Sequence, residues 1–413
     1  MKSSRVSFPN GRGQDLSARL ELPVNREPHA FAVFAHCFTC SSSLAAVRNI
    51  SRALNQRGFG VLRFDFTGLG NSEGDFVDTN FTTNISDLIA AGEWLGEQHV
   101  APALLVGHSL GGAAVLCAAH SLPSVKAVAT IGAPYTPDHV SAHFKQGLAE
   151  IAVRGSATVD IGGRPFEIAQ QFLDDLENQR VEEKIKDLDA ALLIMHSPQD
   201  LTVSIDEAAK LYTAAHHPKS FVSLDGADHL LSEEADAHYA GDVIAGWSSR
   251  YITVPEAAPL RSKKQVAVRL GEEGFTTEVM VRHHSLLADE PEKIGGNDYG
   301  PGPYELVAAG LGACTAMTIQ MYARRKKWVV EEVQVHIDHR KDYAADMEAV
   351  EDGGGKIDHF ERTVYLRGDL TEKQRGRLLE IADRCPVHRT LHEEVVVSTV
   401  LGEEGEVAGA GLG

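Results

Sequence analysis

The chain has 413 residues, of which 43% are hydrophobic and 23% charged, and a formal net charge of −19. This length exceeds what one hydrophobic core usually serves, so two or three domains are expected, and the composition excludes a disordered or fibrous protein. Both halves are acidic, which argues against an extended phosphate-binding surface and hence against nucleic acid as a partner. No apolar run reaches the roughly 18 residues needed to span a bilayer. The five cysteines are too sparse for a disulfide framework and read as reduced thiols; Met1 to Leu20 lacks an apolar signal core, so the expected compartment is cytoplasmic.

From residue 30 to about 250, short apolar runs alternate with amphipathic helical stretches. Ala30–Ala35, Gly60–Phe66, Ala103–Gly107, Val125–Ile131, Ala190–Met195 and Ser220–Leu224 read as strands. Leu44–Arg57, Asn84–Gln98 and Leu110–Ser121 read as helices between them. Strands that are apolar on both faces and alternate with helices predict an α/β fold, a mostly parallel sheet covered on both sides. Leu16–Leu22 is expected as an antiparallel strand at the sheet edge. The long connection Ala133–Asp189, with a hairpin about Gly162-Gly163, suits a modest lid.

After Tyr251 the rhythm changes. The expected division is a first domain over 1–252, a Pro- and Ala-containing linker over 253–263, a second domain over 264–402 and a loose tail over 403–413. The second domain opens with strands Val266–Leu270 and Phe275–Arg282 joined across Gly-Glu-Glu-Gly. A Gly/Pro-rich loop, a long small-residue helix Tyr304–Arg325, strands near Val329–His339 and Phe360–Arg367, a helix Thr371–Asp383 and a last strand Glu394–Val400 follow, which makes an α+β domain. The basic cluster Arg324–Lys327 falls at the expected end of the long helix, where cations complement the helix dipole.

Gly107-His-Ser109-Leu-Gly111 lies between an apolar strand and a helix. A strand, sharp turn and helix with glycines at the crowded positions presents the serine hydroxyl at the carboxyl edge of a sheet. A serine needs a base, and the two candidates that follow it fit the required order. Asp200 lies just beyond strand Ala190–Met195 and His229 just beyond the strand ending at Leu224. His229 is then the general base, and Asp200 fixes its tautomer. Asp225 and Asp228 compete for the acid role, but sit too close to the histidine in sequence to approach its far nitrogen easily. The oxyanion hole should combine the N–H of Leu110 with one from the loop His36-Cys-Phe-Thr-Cys40, for which Phe38 is the choice. Cys37 and Cys40 form a Cys-x-x-Cys, a pattern open to a redox or zinc role; a zinc site needs four ligands and no second pair is nearby, so a structural role in the loop is expected. That loop, together with Arg63-Phe-Asp-Phe-Thr-Gly-Leu-Gly-Asn-Ser-Glu-Gly74, resembles the α/β-hydrolase superfamily, in its serine-aminopeptidase-like and esterase branch, over about residues 5 to 250. Relatives usually carry Gly where this chain has Cys37. The resemblance implies hydrolysis of an ester or related acyl bond of a small-molecule substrate without metal or cofactor.

In the second half, Gly295-Gly-Asn-Asp-Tyr-Gly-Pro-Gly-Pro-Tyr-Glu-Leu306, Gly312-Ala-Cys314 and Cys385-Pro-Val-His388 together resemble the OsmC/Ohr family of thiol peroxidases over about residues 264 to 402. That resemblance implies an intertwined homodimer acting on an organic hydroperoxide with a thiol reductant. It implies Cys314 as the peroxidatic thiolate, Cys385 as the resolving thiol, and Glu305 as the family's carboxylate. The family pairs that carboxylate with an arginine, for which Arg269 and Arg282 on the first hairpin are the candidates.

Overall fold

A computed structural model describes residues 2–23, 27–37, 41–137, 147–161, 164–253, 260, 262, 264–272, 274–343 and 356–402. The chain divides into two compact units, Met1–Ala257 and Ala258–Gly413. The division falls inside the stretch read as a linker, most of which lies outside the described residues, as does the tail over 403–413.

In the first unit the strands are β1 (Lys2–Pro9), β2 (Asp15–Leu22), β3 (Ala30–Ala35), β4 (Phe59–Phe64), β5 (Leu104–His108), β6 (Ala127–Ile131), β7 (Ser156–Ile161), β8 (Arg164–Ala169), β9 (Ala191–His196) and β10 (Lys219–Ser223). The helices are α1 (Ala45–Gln56), α2 (Phe81–Gln98), α3 (Leu110–Ala118), α4 (Leu148–Arg154), α5 (Gln170–Asn178), α6 (Val181–Lys186), α7 (Ile205–Ala214) and α8 (Glu234–Ser248). Eight strands form one sheet in the order β1-β2-β4-β3-β5-β6-β9-β10. Its strands from β4 to β10 are parallel, while β1 and β2 are antiparallel. Residues 15–22 therefore form the second strand and not the edge. Lys2–Pro9, too polar to read as a strand from its sequence, pairs outside it as the edge.

The two-sided burial follows directly from strand periodicity. On β3, Phe31, Val33 and Ala35 face one core together with Leu88 and Leu95 of α2 and Val115 of α3. Ala30, Ala32 and Phe34 face the other with Val47, Ile50 and Leu54 of α1 and Ile244 of α8. Each large side chain fully buried in these layers contributes about 1.5–3 kcal/mol relative to exposure. The lid hairpin expected about Gly162-Gly163 is β7 paired with β8, although those two glycines lie outside the described residues.

The second unit holds the meander β11 (Val266–Leu270), β12 (Thr277–Val281) and β13 (His284–Ala288), then helix α9 (Pro303–Lys326). A hairpin of β14 (Glu332–Tyr343) and β15 (Lys356–Arg367) follows, then helices α10 (Glu372–Ala382) and α11 (Pro386–His392). On α9 only Leu311, Thr315, Ile319 and Ala323 are buried, one narrow stripe at intervals of four. Ile319 and Ala323 join Val330, Leu378 and Ala382 in a small core. Most of α9 is thus uncovered, and by length and apolarity alone it is long and apolar enough to cross a membrane. The strand expected over Glu394–Val400 is absent. This Val-rich segment pairs with no strand and is exposed, with Val396 at 81% and Val397 at 82%.

Candidate active site

The turn at Ser109 is built by close approach. A Cβ on Gly107 would collide with the carbonyl of Gly111, and one on Gly111 would lie 2.5 Å from the carbonyl oxygens of Ala35 and His36. Between them Ser109 adopts φ 55° and ψ −126°, a strained conformation for a residue with a side chain, and its N–H donates to the Ile131 carbonyl at 2.8 Å. The hydroxyl therefore stands clear of the β5–α3 turn, at the carboxyl edge of the parallel strands.

Asp200 follows β9 and His229 follows β10, the next strand in the sheet, so both arrive at that edge. His229 Nε2 lies 3.0 Å from Ser109 Oγ, and His229 Nδ1 lies 2.7 Å from Asp200 Oδ2. The other carboxylate oxygen of Asp200 accepts from the N–H groups of Thr202 and Val203, each at 2.8 Å. Burial alone would raise the Asp200 carboxyl; the hydrogen bonds from His229, Val203 and Thr202 outweigh it and hold it below the usual carboxylate value. Gly132, with φ 55°, floors the pair, since a Cβ there would sit 3.3 Å from Asp200 Oδ2 and from His229 Nδ1. The rival acids are engaged elsewhere. Asp228 accepts from the N–H and hydroxyl of Ser232, and Asp225 accepts from the side-chain amide of Gln199.

On the oxyanion side, Leu110 is the first residue of α3 and is buried, so its N–H is one of the helix's unpaired first-turn donors. Phe38, the second expected donor, and Cys40 lie outside the described residues. Cys37 is buried and disulfide-bonded, which corrects the reading of all five cysteines as reduced thiols; Cys117, Cys314 and Cys385 are free. Among the described residues no group of three or more His, Cys, Asp or Glu is arranged to hold a metal.

The second unit brings the two expected cysteines to neighbouring helices. Cys314 lies on α9, half-buried, and its Sγ has no hydrogen-bond partner among the described residues. Cys385 is buried at the start of α11, where its Sγ accepts from the His388 N–H at 3.3 Å and lies 3.7 Å from the hydroxyl of Thr315, the residue after Cys314. Both expected arginines lie on the β11–β13 meander. Arg269 forms a cross-strand ion pair with Glu278, and Arg282 occupies the turn from β12 to β13 with φ 57°. Arg362 of β15 donates to Thr315 Oγ1 at 2.9 Å and to Asp383 Oδ1 at 2.7 Å. Glu305 Oε2 accepts from the Gly302 N–H at 2.7 Å, capping α9, and lines an open groove of about 630 Å³ with Ala308, Gly312 and Ile337.

The sheet order agrees with the comparison to known families. A model described as the alpha/beta hydrolase family matches residues 32–243. The chain belongs to the alpha/beta hydrolase family. An OsmC-like protein model matches residues 295–400, so an alpha/beta hydrolase domain is followed by an OsmC-like domain. Human protein ABHD12B is 28% identical over 224 residues, covering 51% of this chain and 58% of its own length. Mouse mitochondrial palmitoyl-protein thioesterase ABHD10 is 25% identical over 189 residues, covering 44% of this chain and 62% of its own. The chain thus spans under two thirds of either relative. Among solved structures, the esterase domain of a Rhodothermus marinus protein is 51% identical with a TM-score of 0.51, over 61% of this chain and all of that one.

Within the hydrolase domain three supporting groups carry no signal in the sequence pattern. Gln199 ties the acid loop to the histidine loop, donating to Asp225 Oδ1 at 3.2 Å and accepting from the Gly226 N–H at 2.8 Å. The far end of the oxyanion loop is clamped at Ser42, whose N–H donates to Asp65 Oδ1 at 2.7 Å and whose carbonyl accepts from Arg63. Arg63 is itself paired with Glu21 at 2.7 Å, both side chains being buried. The third group, His108, was only the variable letter of a motif.

Proposed function

We propose that the hydrolase domain cleaves an ester or related acyl bond by a Ser-His-Asp mechanism. The single observation that carries this reading is the unbroken chain Ser109 Oγ, His229, Asp200 at 3.0 and 2.7 Å. Ser109 Oγ attacks the acyl carbon as His229 Nε2 takes the hydroxyl proton; Asp200 holds the imidazole by its Nδ1–H and stabilises the imidazolium. The tetrahedral oxyanion is met by the Leu110 N–H and a donor from the His36–Cys40 loop. His229 returns the proton to the leaving group, and water, deprotonated by the same ring, releases the acid from the acyl-enzyme. The esterase and thioesterase names of the relatives support an acyl substrate. A fluorophosphonate probe should label Ser109 in the native protein. Retention of full esterase activity by Ser109→Ala overturns the assignment.

For the OsmC-like domain we propose reduction of organic hydroperoxides, with Cys314 oxidised to sulfenic acid and Cys385 closing a disulfide that an external dithiol reduces. The neighbouring placement of Cys385 and the Cys314–Thr315 turn supports it. The domain is proposed to act as a homodimer, which would cover the bare faces of α9 and give the unpaired Glu394–Leu401 segment a strand to join. A second reading, in which this domain serves only dimerisation or binding, is favoured by one observation: no described group hydrogen-bonds to Cys314 Sγ. Cumene hydroperoxide with a dithiol separates them. Turnover with a Cys314–Cys385 disulfide on mass analysis supports the peroxidase, and the absence of both supports the second reading.

A further inference from the structure

His108 occupies the variable position between Gly107 and Ser109, is 2% exposed, and places its Nε2 2.7 Å from the backbone carbonyl of His229. A carbonyl only accepts, so the proton sits on Nε2; Nδ1 is then a bare acceptor, buried and without a partner. Burying an imidazole with one nitrogen unsatisfied is costly, and an aliphatic side chain would fill this apolar turn more cheaply. What the imidazole adds is one hydrogen bond to the backbone of the residue whose ring must bridge Ser109 and Asp200. The charged and titratable groups that face it are His229, Asp200, His36 and Asp228; burial, reinforced by His229, pushes its imidazole down to about 4, so it is neutral at working pH. It is not a second base, because the partner of Ser109 Oγ is His229 Nε2.

We propose that His108 is a positioning residue for the hydrolase reaction, its Nε2–H holding the His229 carbonyl and thereby the His229 ring in line with Ser109. The inference rests on the triad reading above. His229 stands on the β10–α8 loop, whose earlier residues Asp225 and Gly226 are tied to the acid loop by Gln199, while the His229 ring itself meets Asp200. His108 anchors the loop at His229 itself. A misplacement of about 1 Å in such a base costs on the order of 10²-fold in rate.

The test uses the full-length protein, p-nitrophenyl acetate hydrolysis and the rate of fluorophosphonate labelling at Ser109. His108→Gln keeps an N–H where Nε2 stood, whereas His108→Asn is one methylene shorter and cannot reach the carbonyl. Both variants are polar and small enough to fit, and thermal unfolding checks each fold. The expected result is a kcat about 10²-fold lower for His108→Asn with KM nearly unchanged, a parallel loss in labelling rate, and recovery to within about fivefold in His108→Gln. Equal activities of the two variants overturn the proposal. Should the asparagine protein not fold, a folded glutamine variant below about 1% of wild-type kcat overturns it as well, because its hydrogen bond is intact. Failure of the triad reading looks different: Ser109→Ala keeps its activity, or the probe labels nothing in the wild type.

Discussion

Asp200 Oδ2 and His229 Nδ1 meet at 2.7 Å across two loops that leave adjacent parallel strands, β9 and β10. Asp200 is itself held by two backbone N–H groups, so it arrives oriented and ionised. Asp200→Asn should preserve the fold and lower kcat by about 10³–10⁴-fold, since an amide cannot hold the tautomer that leaves Nε2 free to take a proton. Steady-state kinetics alongside circular dichroism check this; a kcat within tenfold of wild type would assign the acid role elsewhere.

Gln199 is exposed, so its loss should spare stability while loosening the two loops that carry Asp200 and His229. Gln199→Ala is expected to reduce kcat about tenfold with KM little changed and the melting temperature within a few degrees of wild type. A change confined to KM would show that Gln199 contacts substrate instead.

Acid stability should bear the mark of His108. Unfolded, its imidazole protonates near the ordinary 6.5; folded, it resists protonation down to about 4. The unfolded state thus binds more protons between those values, and stability falls as pH falls through that window, by about 1.4 kcal/mol per unit and about 3 kcal/mol in all. Below about pH 4 the loss from this group levels off. Urea unfolding of the hydrolase domain at pH 7 and pH 4 should show a smaller difference in His108→Gln than in wild type. His36 and His196, whose imidazoles burial also lowers, supply a remaining slope of the same sign.

The Glu21–Arg63 pair tests whether buried charge stabilises the loop clamp. Glu21 accepts from Arg63 Nε at 2.9 Å and Nη2 at 2.7 Å, and its second carboxylate oxygen has no partner. Arg63→Met leaves that carboxylate unpaired and should cost about 3–5 kcal/mol, whereas the double variant Glu21→Leu/Arg63→Met should recover most of it. Chemical denaturation of the four proteins gives the coupling. In the double variant esterase kcat should still fall, because Arg63 no longer holds the Ser42 carbonyl.

The bare Val-rich segment after Glu393 predicts the assembly state. Sedimentation of the full chain should give a dimer, and deletion of residues 394–413 should shift it towards monomer. A full chain that sediments as a monomer at micromolar concentration would remove the homodimer.

Much of this protein is determined by local pattern. The buried strands from Ala30 to Met195 could be located because a strand covered on both faces must be apolar at every position, and Ser109 because only glycines fit the contacts on either side of it. Asp200 and His229 could be placed because parallel strands deliver their following loops to one edge. What the sequence leaves open is set by partners remote in the chain. Lys2–Pro9 is a strand only because β2 offers it an edge, while Glu394–Val400 has strong strand character and pairs with no strand among the described residues. The arrival of Arg362 beside Thr315 and the hold of His108 on His229 are matters of distance. Residue type names a chemistry; only the packing of separate loops brings two such groups within 3 Å, where that chemistry becomes an interaction.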